Sequence, residues 1–419
     1  MGAATAEKVI PSATVAATKK PRKKAKAPPS SSSAAERELS PSSGLQCRVV
    51  MSDMRKAIAR MATVVDRKST MPMLHHVMLV ADKERVSVAA TDLTTWLTVQ
   101  LTGASWTSGV GSVAIECKRL ADLLKVLPDG EVTIAKDRAH TTRIEIGACA
   151  ATVVSLPAVD FPTAPSVGDA AWHAIDSGAL RQGIDDTLAC VCRDETRFHL
   201  NGVFLESDGQ ILRMVSTDGH RLAKSQRACP SSLVLETGRI LPEKACRELR
   251  RLLTDGACEI AVTRTHIFVR QDNWTLATHP IDAQFPPYEQ VIPTEYKRLV
   301  TVYRDEFVTA CKRARVLSSE TRGVRLTIGH DAVTLTSDHP DAGELRERLR
   351  AEHSPAKQPF DVGFDPDYML DLLQTIEGEQ CVLGFGSELD PISIRSLDDA
   401  AMRAITDAEF LGIVMPMRI

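Results

Sequence analysis

No run of the roughly 18 apolar residues that a membrane-spanning helix needs occurs anywhere in the 419 residues. No membrane partner is therefore expected. Ten cysteines are present, yet no two stand as Cys-x-x-Cys. Scattered in this way they suit a reduced compartment, as small core hydrophobes, better than a disulfide framework or a zinc site. There is no Gly-rich phosphate loop closed by Lys-Ser/Thr and no dinucleotide fingerprint after a strand. Gly-x-Ser-x-Gly and His-Glu-x-x-His are also missing, so the common hydrolase and zinc-protease signatures are excluded. No cofactor and no metal are expected. An overall excess of positive charge is lacking too: the formal net charge is -3. Residues 1–46 hold eight Lys/Arg and three acids, a net of +5, which leaves -8 for the remainder. A body of that sign does not attract nucleic acid over its whole surface, so any such role needs basic groups gathered on one face.

Residues 1–44 are Ala, Ser, Pro and Lys with almost no large apolar side chains, too few to bury a core, and are expected to be disordered. Their dense block Lys19-Lys20-Pro21-Arg22-Lys23-Lys24-Ala25-Lys26 reads as a solvated tail or as an arm in salt-sensitive contact with phosphates.

What the rest of the chain contains is repetition. Val86 to Asp92, Leu212 to Asp218 and Val333 to Asp338 are alternating segments ending in Thr-Asp or Ser-Asp, 126 and then 120 residues apart. Leucine-rich helical segments with an acid-Gly ending close at Gly130, Gly256 and Gly378. Earlier helical stripes begin near Met54, Leu180 and Phe307. Three landmarks in one register imply a domain written three times.

Met54, Ile58, Met61 and Val65 mark one face of the first helix, and Leu120, Leu123, Leu124 and Leu127 one face of the second. Strands are expected at 77–80, 86–90, 96–101, 131–135 and 143–154. In the second repeat, Leu200 to Leu205 and 211–216 read as a hairpin around Asp208-Gly209. The helix at 242–254 is the most basic segment of the body, with Lys244, Arg247, Arg250 and Arg251. In the third, the charged stretch 341–357 reads as a surface excursion. The apolar end, Ile413 to Ile419, reads as a docked tail whose proline confines it to a sheet edge.

The catalytic-looking cluster is Ser216-Thr217-Asp218-Gly219-His220. An Asp and a His two apart on a hairpin make a hydrolase using His220 and Asp218 conceivable, but a locally hydrogen-bonded polar turn accounts for the same residues. Thr91-Asp92 and Ser337-Asp338 lack the histidine, so the repeats share a turn and not a chemistry.

From residue 45 onward the chain resembles the β sliding clamp, the β subunit of bacterial DNA polymerase III. The resemblance is carried by Thr70-Met71-Pro72-Met73-Leu74, Phe198-His199-Leu200-Asn201-Gly202-Val203, Thr217-Asp218-Gly219-His220-Arg221-Leu222, Phe285-Pro286-Pro287-Tyr288, Arg322-Gly323-Val324-Arg325-Leu326 and Val414-Met415-Pro416-Met417-Arg418. It implies an α+β DNA-clamp fold of three repeated domains, 45–165, 166–292 and 293–419, each with two helices packed on antiparallel sheets. It further implies a head-to-tail homodimeric ring around double-stranded DNA. Such a protein is a non-catalytic processivity factor that tethers the polymerase catalytic subunit, the clamp loader and other clamp-binding-motif proteins, in the cytoplasm at the nucleoid.

Positions matching the family's DNA contacts are Lys68, Arg197 and Lys244; charge and location add Arg67, Arg193 and Arg247. The implied partner-peptide pocket is Leu200, Thr217, Gly219, His220, Arg221, Leu222, Pro286, Val291, Tyr368, Val414, Met415, Pro416 and Met417, with Arg418 at its rim. The implied subunit interface sets Val153 against Val316 and Leu317. The chain departs from the family in several places. Ala151 stands where a bulky residue is usual, Phe198-His199 replaces a tyrosine pair, Gln290 replaces a basic residue, and residues 1–44 have no counterpart.

Overall fold

The computed structural model describes residues 45–138, 140–318, 323–330, 332–353 and 359–418. The expectations for the tail at 1–44, for Arg322, for 354–357 of the charged stretch and for Ile419 lie outside these residues. Paired helices recur along the chain: α1 (Met51–Val64) and α2 (Cys117–Val126), α3 (Ser177–Thr187) and α4 (Glu243–Leu252), α5 (Arg304–Val316) and α6 (Pro366–Leu373). Their apolar stripes are the buried faces. Met54, Ile58, Met61, Leu120 and Leu124 share one apolar cluster with Leu180, Ile184 and Leu249 of the second pair.

The acid-Gly landmark has a structural purpose that recurs. The Met51 N–H donates to Gly130 O at 2.9 Å, the Ser177 N–H to Gly256 O at 3.0 Å, and the Arg304 N–H to Glu379 O at 2.8 Å. In each repeat the turn after the second helix thus supplies a carbonyl to an otherwise unpaired donor at the start of the first.

Strands from different repeats join into shared sheets. A 13-stranded sheet contains both first- and second-repeat strands, joined where Trp274–Thr278 pairs antiparallel with Thr95–Gln100. A 9-stranded sheet joins the second and third repeats through Arg221–Ala228 and Phe410–Val414. A 4-stranded sheet belongs to the third repeat alone.

Four expectations change. The strand expected at 143–154 is two, Thr141–Ile146 and Cys149–Pro157, because the chain reverses at Gly147. Within the charged excursion two segments are strands: Gly343–Leu349 pairs with Val333–His339, and Ala351–His353 pairs with Arg298–Tyr303. Glu344, Arg346 and Arg348 face away from Leu345 and Leu349, while Glu347 shares the leucines' face and pairs with Arg313, so charge content concealed a period of two. Ser337-Asp338 does not end its strand, which runs on to His339. Finally, Phe410–Val414 is an interior strand flanked by Arg221–Ala228 and Ile392–Ser396. The proline that suggested an edge, Pro416, lies beyond it.

Candidate functional site

The strand Ile211–Thr217 turns at Asp218-Gly219-His220 into Arg221–Ala228. Asp218 Oδ1 accepts the backbone N–H groups of His220 at 2.9 Å and Arg221 at 3.0 Å, and Thr217 Oγ1 donates to Arg221 O at 2.7 Å. Gly219 has φ +88°, a conformation glycine adopts at no steric cost. The first repeat builds the same turn: Asp92 Oδ1 accepts from the N–H of Thr94 at 2.9 Å and Thr95 at 2.7 Å, and Leu93 sits at φ +76°.

The His220 carbonyl accepts the Met415 N–H at 2.8 Å, and Arg221 pairs with Val414. Two residues on, the Met417 N–H donates to Gly363 O at 2.8 Å, bridging to the third repeat's four-stranded sheet. The segment 415–417 is therefore held on both sides. Below lies a separate apolar cluster containing Leu200, Leu222, Phe285, Tyr288, Leu411 and Ile413. Pro286 and Val291 flank Tyr288, and Val291 and Met415 stay exposed at 38% and 36%. Arg418 is exposed at the end of this segment.

Tyr368, on α6, closes the other side. The His220 ring stacks with it at 5.9 Å between centroids and 14° between planes, and the Arg221 guanidinium stands 4.8 Å from its centroid. Arg221 donates Nε to Asp218 at 3.1 Å and Nη2 to Ala189 O at 2.9 Å, and also pairs with Asp371 of α6. One guanidinium thereby ties the turn of the second repeat to a helix of the third. All the pocket positions expected from the sequence lie on these joined segments. Asp371 and Gly363 were missed because neither carries a local pattern: an acid on a helix surface and a strand glycine acquire their roles only through tertiary pairing.

The hydrolase alternative fails on geometry. Asp218 is committed to two backbone donors and to Arg221, while the His220 ring lies along Tyr368. Among the described residues, no group of three or more His, Cys, Asp or Glu could hold a metal ion. Burial pushes the thiols of Cys47, Cys246 and Cys258 up to about 12, which keeps them protonated core groups.

The basic candidates fall into three places. Arg193 and Arg247 line a cavity of about 540 Å³ with Arg250 and Arg304 and with the acids Asp185, Asp186, Asp371 and Glu377, between the second repeat's helices and the end of α6. Arg250 pairs with Asp185 and Arg247 with Glu243, whereas Arg193 is exposed. Arg67 and Lys68 are exposed in the turn after α1. Lys244 reaches the same end of α1, donating to Val64 O at 2.8 Å and pairing with Asp92 at 2.5 Å. Burial alone pushes the Asp92 carboxyl up, but Lys244 and the donors of Thr95 and Thr94 outweigh it and hold it below its ordinary value. Arg197 lies apart from both, donating Nη1 to Asp218 O at 2.7 Å.

Several sheet edges are open, and two of them carry the positions expected at a subunit contact. The Cys149–Val154 half of its strand pairs only with Thr141–Ile146, and Val153 stands there half-buried beside exposed Val154. Gly343–Leu349 is the outer strand of the four-stranded sheet. Arg313 of α5 pairs with Glu347 on it, and Val316 and Leu317 lie at the end of that helix, Val316 being 75% exposed.

Comparison with known proteins gives one result throughout. The families described as the N-terminal, central and C-terminal domains of the DNA polymerase III beta subunit match residues 45–165, 174–287 and 289–409 in that order. The beta sliding clamp of Pseudomonas aeruginosa is 30% identical over 372 residues, covering 87% of this chain and 97% of the relative. That of Caulobacter vibrioides is 29% identical over 373 residues, again 87% of this chain and 97% of the relative. A crystal structure of the Pseudomonas aeruginosa subunit superposes with a TM-score of 0.83 at 28% identity, covering 89% of this chain and all of that one. A second, of a clamp from the same organism bound to griselimycin, gives 0.81 at 29% identity and covers 90% of this chain and 100% of that one.

Proposed function

This chain belongs to the β sliding clamp family of DNA polymerase III β subunits, and from that premise we propose that two copies close head to tail into a ring around duplex DNA. The ring is a processivity factor without catalytic activity. It works in the cytoplasm at the nucleoid and holds the polymerase catalytic subunit, the clamp loader and repair proteins on DNA. The observation that supports ring closure is an open edge in the first repeat and another in the third. An edge strand left unpaired invites a partner strand, and Cys149–Val154 and Gly343–Leu349 lie in the first and third repeats of the same chain. Joining one copy's first edge to the other's third, with Val153 near Val316 and Leu317, closes two identical contacts.

DNA is held by Arg67, Lys68, Arg193, Arg197, Lys244 and Arg247 through phosphates alone. Contacts to the backbone carry no sequence information, so the ring can slide. The -8 of the body outside residues 1–46 keeps DNA from the remaining surface.

Partners enter the groove of Leu200, Thr217, Gly219, His220, Arg221, Leu222, Pro286, Val291, Tyr368, Val414, Met415, Pro416, Met417 and Arg418. Its floor is apolar and rigidly bonded, while Met415 and Met417 are unbranched and adapt to different side chains. Griselimycin, bound by the Pseudomonas aeruginosa clamp, is a ready probe. It is expected to bind this chain, and Met415→Ala to weaken it about tenfold, roughly 1.4 kcal/mol. Equal binding by Met415→Ala and wild type, measured by calorimetry, would remove the groove from this reading.

A further inference from the structure

The strand Val234–Pro242 is the outermost of the nine-stranded sheet, paired on one side with Gly202–Asp208. On its other side it meets a single bridge, where the Ile281 N–H donates to Ile240 O at 2.9 Å. Beside that bridge opens a cavity of about 940 Å³, lined among others by Thr237, Arg239, Arg264, His279, Ile281 and Phe285.

Its floor is apolar. Phe204 and Phe285 stack at 4.8 Å with planes 1° apart. The register slips between Leu205 and Ser207, marking a bulge in the edge strand. Gly238 lies opposite at φ +59°, where an added Cβ would come within 2.4 Å of the Phe204 ring. Only glycine lets the ring stand directly beneath the edge.

Its rim is cationic. Arg264 is exposed. Arg239 donates to Thr237 Oγ1 at 2.7 Å and to Gly238 O at 2.8 Å. Among the described residues neither arginine meets a carboxylate at ion-pair distance. His279 donates Nδ1 to Thr265 O at 3.0 Å. Asp282 is the sole acid among the lining residues. Two unneutralised guanidinium groups on an otherwise acidic body select a negatively charged occupant.

We propose that this edge and cavity form a second docking site, separate from the Met415 groove, for an extended acidic segment of another protein. The segment adds as a strand outside Val234–Arg239, sets carboxylates on Arg239 and Arg264, and lays an apolar side chain over the Phe204–Phe285 pair. The volume falls in the range of formed ligand sites. Phe285 also belongs to the apolar cluster beneath the partner groove, so a partner seated there has a continuous apolar floor leading to this edge.

The test uses the full chain and a fluorescein-labelled peptide of alternating glutamate and valine around a central phenylalanine. A second peptide has lysine in place of glutamate. Fluorescence anisotropy is expected to show saturable binding of the acidic peptide and at least about tenfold weaker binding of the lysine peptide. The double variant Arg239→Glu/Arg264→Glu, with unchanged circular dichroism, should lose about tenfold or more in affinity, and Met415→Ala none. Amide hydrogen exchange across Val234–Arg239 should slow when the acidic peptide is present. The proposal is overturned by absence of saturation up to about 1 mM, by equal binding of the two peptides, by an unaffected charge-reversed variant, by equal loss in Met415→Ala, or by unchanged exchange at this edge.

Discussion

Arg221 concentrates more of the structure in one side chain than any position singled out from the sequence. It joins Asp218, Asp371, the Ala189 carbonyl and the Tyr368 ring, so it sets the geometry of the groove and fastens the second repeat to the third. Removing one member of a largely desolvated charge network strands the others. Arg221→Ala is expected to cost about 3 kcal/mol in urea unfolding, and Arg221→Lys to recover only part because lysine cannot supply the forked contacts. His220 acts differently. Its ring only covers Tyr368, so His220→Ala should weaken griselimycin or partner-peptide binding several-fold while leaving the unfolding midpoint nearly unchanged.

At the scale of elements, the basic candidates are split between α4, which carries Lys244 and Arg247, and the connecting segments, which carry Arg67, Lys68 and Arg193. Arg193 and Arg247 line one cavity, and each contact with phosphate contributes about one unit to the slope of log affinity against log salt. Alanine at both should weaken DNA binding and flatten that slope by about two, in a titration over several salt concentrations. Lys244 is expected to behave otherwise, because Asp92 and Val64 O already hold it. The Asp92 carboxyl is depressed in the folded state, so the joint's contribution is fully present above about pH 4 and lost as pH falls through the folded value. Lys244→Met should lower the urea midpoint at pH 7 and make it less sensitive to acid below pH 4. It should change DNA affinity less than the double variant does.

These elements also show what could be read beforehand. Helices announced themselves because Met54, Ile58, Met61 and their counterparts recur at helical spacing, and the Thr-Asp turn of the first two repeats is a local hydrogen-bonding device written in adjacent residues. The strand Gly343–Leu349 was hidden because an edge strand tolerates charge on its exposed face. The interior position of Phe410–Val414 was hidden because pairing with a strand almost 190 residues earlier leaves no local trace. The same holds within the groove. Its methionines and its turn were legible, whereas Asp371 and Gly363 were not.

For the whole molecule, stability and function meet in the sharing of sheets between repeats. Strand pairing across both junctions makes the three repeats mechanically continuous, which a ring needs if it is to stay closed under the pull of a polymerase. Light scattering is expected to give twice the 45.6 kDa chain mass, and Val153→Glu, which sets an unpaired charge in the contact, to shift the protein toward the monomer. Encirclement itself is tested most directly by retention on DNA. The protein is loaded by a sliding-clamp loader complex onto nicked circular duplex, separated by gel filtration, and compared before and after a single cut that linearises the circle. Stable co-elution with the circle and loss within minutes of linearisation are expected. Equal retention on circular and linear DNA would mean that the protein grips the duplex by surface contact, and that no ring encloses it.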